Sequence, residues 1–177
     1  YSPSLGIPSV REKIAASLNR RFGMHYTMDD IFMTSGAAGA LAHAFRLVTQ
    51  PGDEILTFAP FFPEYRPYTA GAGLTLRVVP ANTQNFQINF DAFEQMLTPA
   101  VQAVLINTPN NPTGSVMTRE TLAKIAELAV KHDLLVISDD VYNTLLYAGE
   151  EAPCIAAFPG MKERTVIVNS FSKSYAM

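Results

Sequence analysis

Val101-Gln102-Ala103-Val104-Leu105-Ile106 is an almost unbroken apolar run, and Asn107-Thr108-Pro109-Asn110-Asn111-Pro112-Thr113-Gly114 follows it with turn-forming polar residues. A short apolar run without alternation is the pattern of a strand buried on both faces, as in parallel sheets covered by helices. Reading outward, the same grammar recurs. Leu134 to Ser138 and Thr165 to Val168 are further buried-strand runs, closed by Asp139-Asp140 and by Ser170 to Lys173. Upstream, a short strand at Ile31 to Thr34 ends in Ser35-Gly36, and Glu54 to Phe58 follows the turn Pro51-Gly52-Asp53. Leu74 to Val79 leads into a loop at Pro80 to Asn89.

Helical signals lie between these runs. Ser9 to Phe22 carries Val10, Ile14, Leu18 and Phe22 at a spacing of four, which places them on one helix face, with Pro8 beside the start. An alanine-rich helix runs from Ser35-Gly36 to about Val48, another begins near Asp91, and Thr118 to His132 is a third, with Thr118 as N-cap. Strands alternating with helices predict an α/β fold, a three-layer α/β/α sandwich around a mostly parallel sheet. In such sheets ligands gather outside the carboxyl ends of the strands, so the polar loops after the runs are expected to share one site.

Hydrophobic residues make up 48% of the 177 and charged residues 16%, a globular composition that argues against intrinsic disorder. A net charge of −3, with no basic run longer than Arg20-Arg21, gives no field to gather phosphate backbones, so nucleic acid is not an expected partner. The lone Cys154 has no internal disulfide partner and no metal-binding spacing of His or Cys is present, so no metal is expected. The cysteine usage fits a reducing compartment, and a cytoplasmic protein is expected. No apolar run reaches the ~18–20 residues that span a bilayer. The chain opens on Tyr1 and stops at Met177 with no tail-like composition, so it reads as a piece of a longer protein.

Each loop has a bland reading as well as a chemical one. Gly36-Ala37-Ala38-Gly39 is either a tight strand-to-helix turn or an anion site, where small side chains expose N–H groups at a helix N-terminus. Asn107 to Gly114 is turn chemistry that also holds side-chain amides at a strand end. Asp139 and Asp140 either cap the next segment or face a cation. Lys173 is either a surface lysine or, at the exit of a buried strand, a desolvated amine made nucleophilic by a lowered pKa.

Taken together these segments resemble the fold type I pyridoxal-phosphate enzymes, specifically the class I/II aminotransferases. The resemblance spans the chain. It rests on Tyr1-Ser2-Pro3-Ser4-Leu5-Gly6 with Arg11, Ser35-Gly36-Ala37-Ala38-Gly39-Ala40-Leu41, Pro60-Phe61-Phe62-Pro63-Glu64-Tyr65, Asn110-Asn111-Pro112-Thr113-Gly114, Ser138-Asp139-Asp140-Val141-Tyr142 and Ser170-Phe171-Ser172-Lys173.

The resemblance implies pyridoxal 5'-phosphate as cofactor and transamination between an amino acid and a 2-oxo acid. Lys173 would carry the cofactor and then serve as general base. Asp139 would pair with the protonated ring nitrogen, Asn111 and Tyr142 would donate to the ring hydroxyl oxygen, and Phe62 would stack on the ring unless it is simply a core phenylalanine. Backbone N–H groups from Gly36 to Ala38 and the Ser170 hydroxyl would hold the phosphate. Tyr1 would reach the phosphate of a neighbouring subunit, which implies a homodimer. Two positions depart from the common pattern: Ala38 stands where many relatives carry a polar side chain, and Asp140 replaces a frequent glutamate. Residues 1–177 would form an incomplete cofactor-binding large domain, with the small C-terminal domain elsewhere and this piece alone inactive. Two rival readings share the scaffold. One is a pyridoxal-phosphate lyase, decarboxylase or cyclase, a branch that often has histidine where Tyr142 stands. The other is the aminotransferase-like domain of a transcription regulator, which an upstream winged helix-turn-helix would mark.

Overall fold

In the computed structural model, which describes residues 3–82, 87–147 and 151–177, the run beginning at Val101 is the middle of a sheet. Strand β3 (Val101–Asn107) lies between β1 (Glu54–Phe58) and β4 (Leu135–Asp139), with β2 (Thr75–Val79) outside β1 and β5 (Thr165–Val168) outside β4. The order is β2-β1-β3-β4-β5 and every neighbouring pair is parallel. All carboxyl ends therefore share one edge. The chain divides into two compact units, Tyr1–Ser35 and Gly36–Met177, and the sheet belongs wholly to the second.

Successive residues along a strand point to opposite faces, so each central strand feeds two cores. Leu56, Val104, Ile106 and Val136 pack on one side with Phe93 of α4 (Phe90–Met96) and Leu122, Ile125 and Ala129 of α5 (Arg119–Lys131). Ile55, Ala103, Leu105 and Ile137 pack on the other with Leu41, Ala44 and Phe45 of α2 (Gly36–Val48) and Tyr65 of α3 (Tyr65–Gly71). This is the expected three-layer arrangement. Fully burying one such side chain contributes about 1.5–3 kcal/mol, so the paired cores dominate the fold's stability. Helix α5 starts where its cap predicts: the Thr118 hydroxyl accepts from the Thr121 N–H at 3.1 Å.

The direction of α2 matters for the site. The turn after it is tied to the start of the sheet, where Gly52 N–H donates to Gly73 O at 2.9 Å just before β1 and β2 begin. Thirteen residues at about 1.5 Å each make a helix about 20 Å long, enough to cross the sheet. Running back from that turn, α2 brings its first residues, Gly36 to Ala38, to the carboxyl edge.

Several expectations needed correction. β5 forms at Thr165–Val168, yet Thr165 to Ile167 are only half-buried, because among the described residues β5 has a strand neighbour on one side alone. Strand β4 runs one residue later than expected, placing Asp139 inside it. Helix α3 was not foreseen, since its seven residues, with Pro67 and Gly71, carry little helical signature. Of the loop from Pro80 to Asn89, residues 83–86 lie outside those described; Ala81 and Ile88 pair in an isolated antiparallel bridge.

In the first unit, α1 (Pro8–Phe22) has Pro at its start and ends on Gly23 in the left-handed region, φ 66°, whose N–H donates to Asn19 O at 2.9 Å. The expected apolar face is not the buried one. Val10 is exposed and Ile14, Leu18 and Phe22 are half-buried, whereas Arg11 and Ala15 are buried. Arg11 is accommodated because Nε donates to Ile31 O at 2.8 Å and Nη2 to Met28 O at 2.7 Å. Ile31 to Thr34 does not form the expected strand. Its backbone is extended at Ile31, but the Ile31 carbonyl is taken by Arg11 and the Met33 N–H donates to Leu5 O at 3.3 Å, leaving no ladder of strand pairing.

Candidate active site

Asn107 and Asp139 end adjacent parallel strands and stand in register as partners. Both are buried. The Asn107 side chain joins three segments: Nδ2 donates to Asp139 O at 2.8 Å, and Oδ1 accepts from the Asn111 N–H at 2.7 Å. A polar residue that ends an apolar strand is thus satisfied in both its functions, and the loop after β3 is anchored by it. Asn110 fastens the same loop on the other side, donating through Nδ2 to Pro60 O at 3.1 Å.

Asp139 is the electrostatic centre. Its Oδ2 accepts from the Tyr65 hydroxyl at 2.6 Å, while Oδ1 is buried with no hydrogen-bond partner. Burial pushes the carboxyl above the ordinary aspartate range, opposed by the Tyr65 hydrogen bond and by the Val141 N–H. Burial, then the negative charge of Asp139, raises the Tyr65 phenol far above its usual value, so the tyrosine keeps its proton and remains the donor. A buried carboxylate oxygen left unpaired is costly, and this one is suited to a cationic N–H donor.

The remaining expected residues lie around this centre. Asn111 Nδ2 is 3.5 Å from Tyr142 Oη, the long limit of a hydrogen bond. Lys173 Nζ lies 5.9 Å from the centroid of the Tyr142 ring, which links the β4 and β5 exits. The desolvation expected of Lys173 is not supplied by the described residues: Lys173 is exposed, because the strand before it is half-buried and α6 (Phe171–Ser174) sits at the surface. The Ser170 Oγ accepts from Ser172 N–H at 3.1 Å and so caps α6. Asp140 does not face outward; it is buried and its Oδ1 accepts from the Ser138 hydroxyl at 2.6 Å.

Phe62 is half-buried in the turn before α3, with its ring edge-on to Tyr65 at 5.6 Å, and it packs against the second core. Gly36, at φ 70°, has open space where a Cβ would stand, and Ala37 and Ala38 continue the first turn of α2. Tyr1 lies outside the described residues. Sequence reasoning gave no role to Tyr65 or Asn107. The signal for Asn107 was available, an amide ending a two-face buried strand, whereas nothing in Pro63-Glu64-Tyr65 indicates that its phenol meets a residue 74 positions away.

The family of class I and II aminotransferases matches the chain over residues 1–177. The aspartate aminotransferase of Thermotoga maritima is 39% identical over 100% of this chain and 47% of its own length. Aromatic-amino-acid aminotransferase 2 of Thermococcus litoralis is 37% identical over 100% of this chain and 46% of its own. Among solved structures, the aromatic aminotransferase of Pyrococcus horikoshii OT3 superposes with a TM-score of 0.96 at 37% identity, covering 100% of this chain and 48% of that one. The chain spans about half the length of the curated relatives it matches. With a match that runs from its first residue to its last and a parallel sheet of the same build, this chain belongs to the class I and II aminotransferase family.

Proposed function

We propose that residues 1–177 are the cofactor-binding large domain of a pyridoxal-phosphate aminotransferase that moves an amino group between an amino acid and a 2-oxo acid. The observation that carries the reading is the buried, unpartnered Oδ1 of Asp139 at the same sheet edge as Lys173. Class I/II aminotransferases are pyridoxal-phosphate enzymes, and the donor set fits that group: an anionic oxygen for the ring nitrogen, amide and phenol donors, an aromatic ring, and the start of a helix.

When bound, pyridoxal phosphate supplies an electron sink for the charge left on the substrate carbon after proton loss. Asp139 Oδ1 keeps a proton on the ring nitrogen by offering it a buried negative partner. Asn111 Nδ2 and Tyr142 Oη serve the ring hydroxyl oxygen. Phe62 orients the ring and excludes water. Gly36, Ala37, Ala38 and Ser170 bind the phosphate through main-chain N–H groups and a hydroxyl. Lys173 Nζ would hold the cofactor and would take and return the substrate proton. By the family resemblance Tyr1 would serve the neighbouring subunit's phosphate, which would make the intact protein a homodimer, and the cysteine usage suits a cytoplasmic location. No helix among the described residues is long and apolar enough to cross a membrane.

Borohydride treatment of the yellow intact protein tests the reading. The visible band is expected to vanish while Lys173 gains a stable phosphopyridoxyl mass. Modification of a different lysine would overturn the assignment.

A further inference from the structure

Tyr65 is wholly buried at the start of α3 and bonded to Asp139, yet nothing in the reading above gives it a task. Its ring is fixed on two sides, stacked at 6.5 Å on Phe61 and met edge-on by Phe62. Its carbonyl accepts from the Thr69 hydroxyl at 2.8 Å, which closes the short helix on itself. The phenol oxygen is therefore held in place independently of Asp139. A carboxylate, by contrast, turns freely about its last torsion, whose wells are broad. Two equivalent oxygens facing one buried donor site would exchange roles. The Tyr65 hydroxyl removes that equivalence by engaging Oδ2 at 2.6 Å, and Oδ1 is left without a partner.

We propose that Tyr65 is a positioning residue: its hydroxyl pins Oδ2 of Asp139 so that Oδ1 is presented, in one orientation, to the protonated ring nitrogen of the cofactor. This rests on the cofactor reading above and deepens it. Tyr65 touches neither the reacting carbon nor the amine. It acts through Asp139 alone, so its removal weakens only what depends on the ring nitrogen. Asp140 and Tyr142 also face this region electrostatically, but neither bonds the Asp139 carboxylate in its place: Asp140 is itself an acceptor, taking the Ser138 hydroxyl, and the Tyr142 hydroxyl meets Asn111 at 3.5 Å.

The test compares, in the intact protein, the affinity for pyridoxal phosphate with that for an analogue carrying CH in place of the ring nitrogen. Each variant gives a ratio of the two affinities, from which general losses of fold or phosphate binding cancel. Tyr65→Phe removes one oxygen and keeps the ring. It is expected to lower the ratio about tenfold, the size of one hydrogen bond to a charged group, while analogue binding stays nearly constant. Asp139→Ala is expected to bring the ratio close to one. If Tyr65→Phe does not fold, Tyr65→Met fills the space without a donor and is expected to show the same fall. An unchanged ratio in the folded Tyr65 variant, alongside a collapsed ratio in Asp139→Ala, overturns the role of Tyr65 and leaves the cofactor reading standing. A ratio that Asp139→Ala also leaves unchanged overturns the cofactor reading and the inference together.

Discussion

The exits of β4 and β5 carry the two residues on which the proposed chemistry rests, and they are built in opposite ways. At the first, Asp139 is buried, bonded to Tyr65, tied to Asn107 through its carbonyl and joined in register to β3. At the second, Lys173 is exposed on a four-residue helix whose cap is a single serine hydroxyl. The acid's environment is fixed by contacts within these 177 residues, and the amine's is not fixed by the described ones. A charge that must be desolvated at a set angle needs a packed sheet end, whereas an amine proposed to hold and release a cofactor needs freedom to move.

That contrast breaks if the lysine proves structural. Lys173→Ala is expected to lower turnover of the intact protein by about 10⁴-fold or more, since carrier and proton acceptor vanish together. Urea unfolding of the unloaded protein should change by no more than about 0.5 kcal/mol, as for other surface substitutions. A large stability loss would mean that the β5 exit is as rigidly built as the β4 exit.

Asn107→Ala should do the reverse. It forfeits one buried and one part-buried hydrogen bond and leaves the Asn111 N–H without its acceptor, so a loss of about 2 kcal/mol in unfolding free energy is expected. Lys173 should still be trapped by borohydride in the folded fraction. Unchanged stability would show that the loop after β3 is held elsewhere.

The smallest effect sharpens the comparison through pH. Because burial raises the folded-state pKa of Asp139 above its unfolded value, the folded protein binds this proton more tightly. Its stabilising contribution is full below the unfolded carboxylate pKa and is lost as pH rises through the folded one. Thermal midpoints of the unloaded protein should therefore carry a downward component across that window, and Asp139→Asn should remove it. Identical pH profiles for the two proteins would refute the burial argument, and Lys173→Ala should leave the component intact.

The sheet was legible where residues are buried on both faces. Val101 to Ile106 and Leu134 to Ser138 read correctly to within one residue because unbroken apolar runs have few other homes, and Thr118 announced α5 through local cap chemistry. Ile31 to Thr34 misled because apolar content says nothing about whether a pairing partner is present, and Met33 and Ile31 found other partners. Val166 and Ile167 misled similarly, since the same residues suit a central or an outer strand. Asn111, Asp139, Tyr142 and Lys173 were brought to one edge by topology, which alternation anticipates. The Tyr65 bond to Asp139 was not legible: it depends on a helix too short to announce itself.

The bond between Tyr65 and Asp139 also limits how β4 can be rewritten. Aliphatic residues on β3 and β4 are interchangeable within limits of volume, and a strand of such residues has several nearly equivalent alignments with its neighbour. The carboxylate does not permit that choice. Sliding β4 by two residues would restore every apolar side chain to its proper face and would offer the Asn107 amide another main-chain carbonyl, yet it would carry the Asp139 side chain about 6.6 Å along the strand, away from the Tyr65 hydroxyl. The phenol thus works as a registration mark for β4, and a redesigned core that kept all the hydrophobic volume but lost it would lose a constraint on where its acid stands.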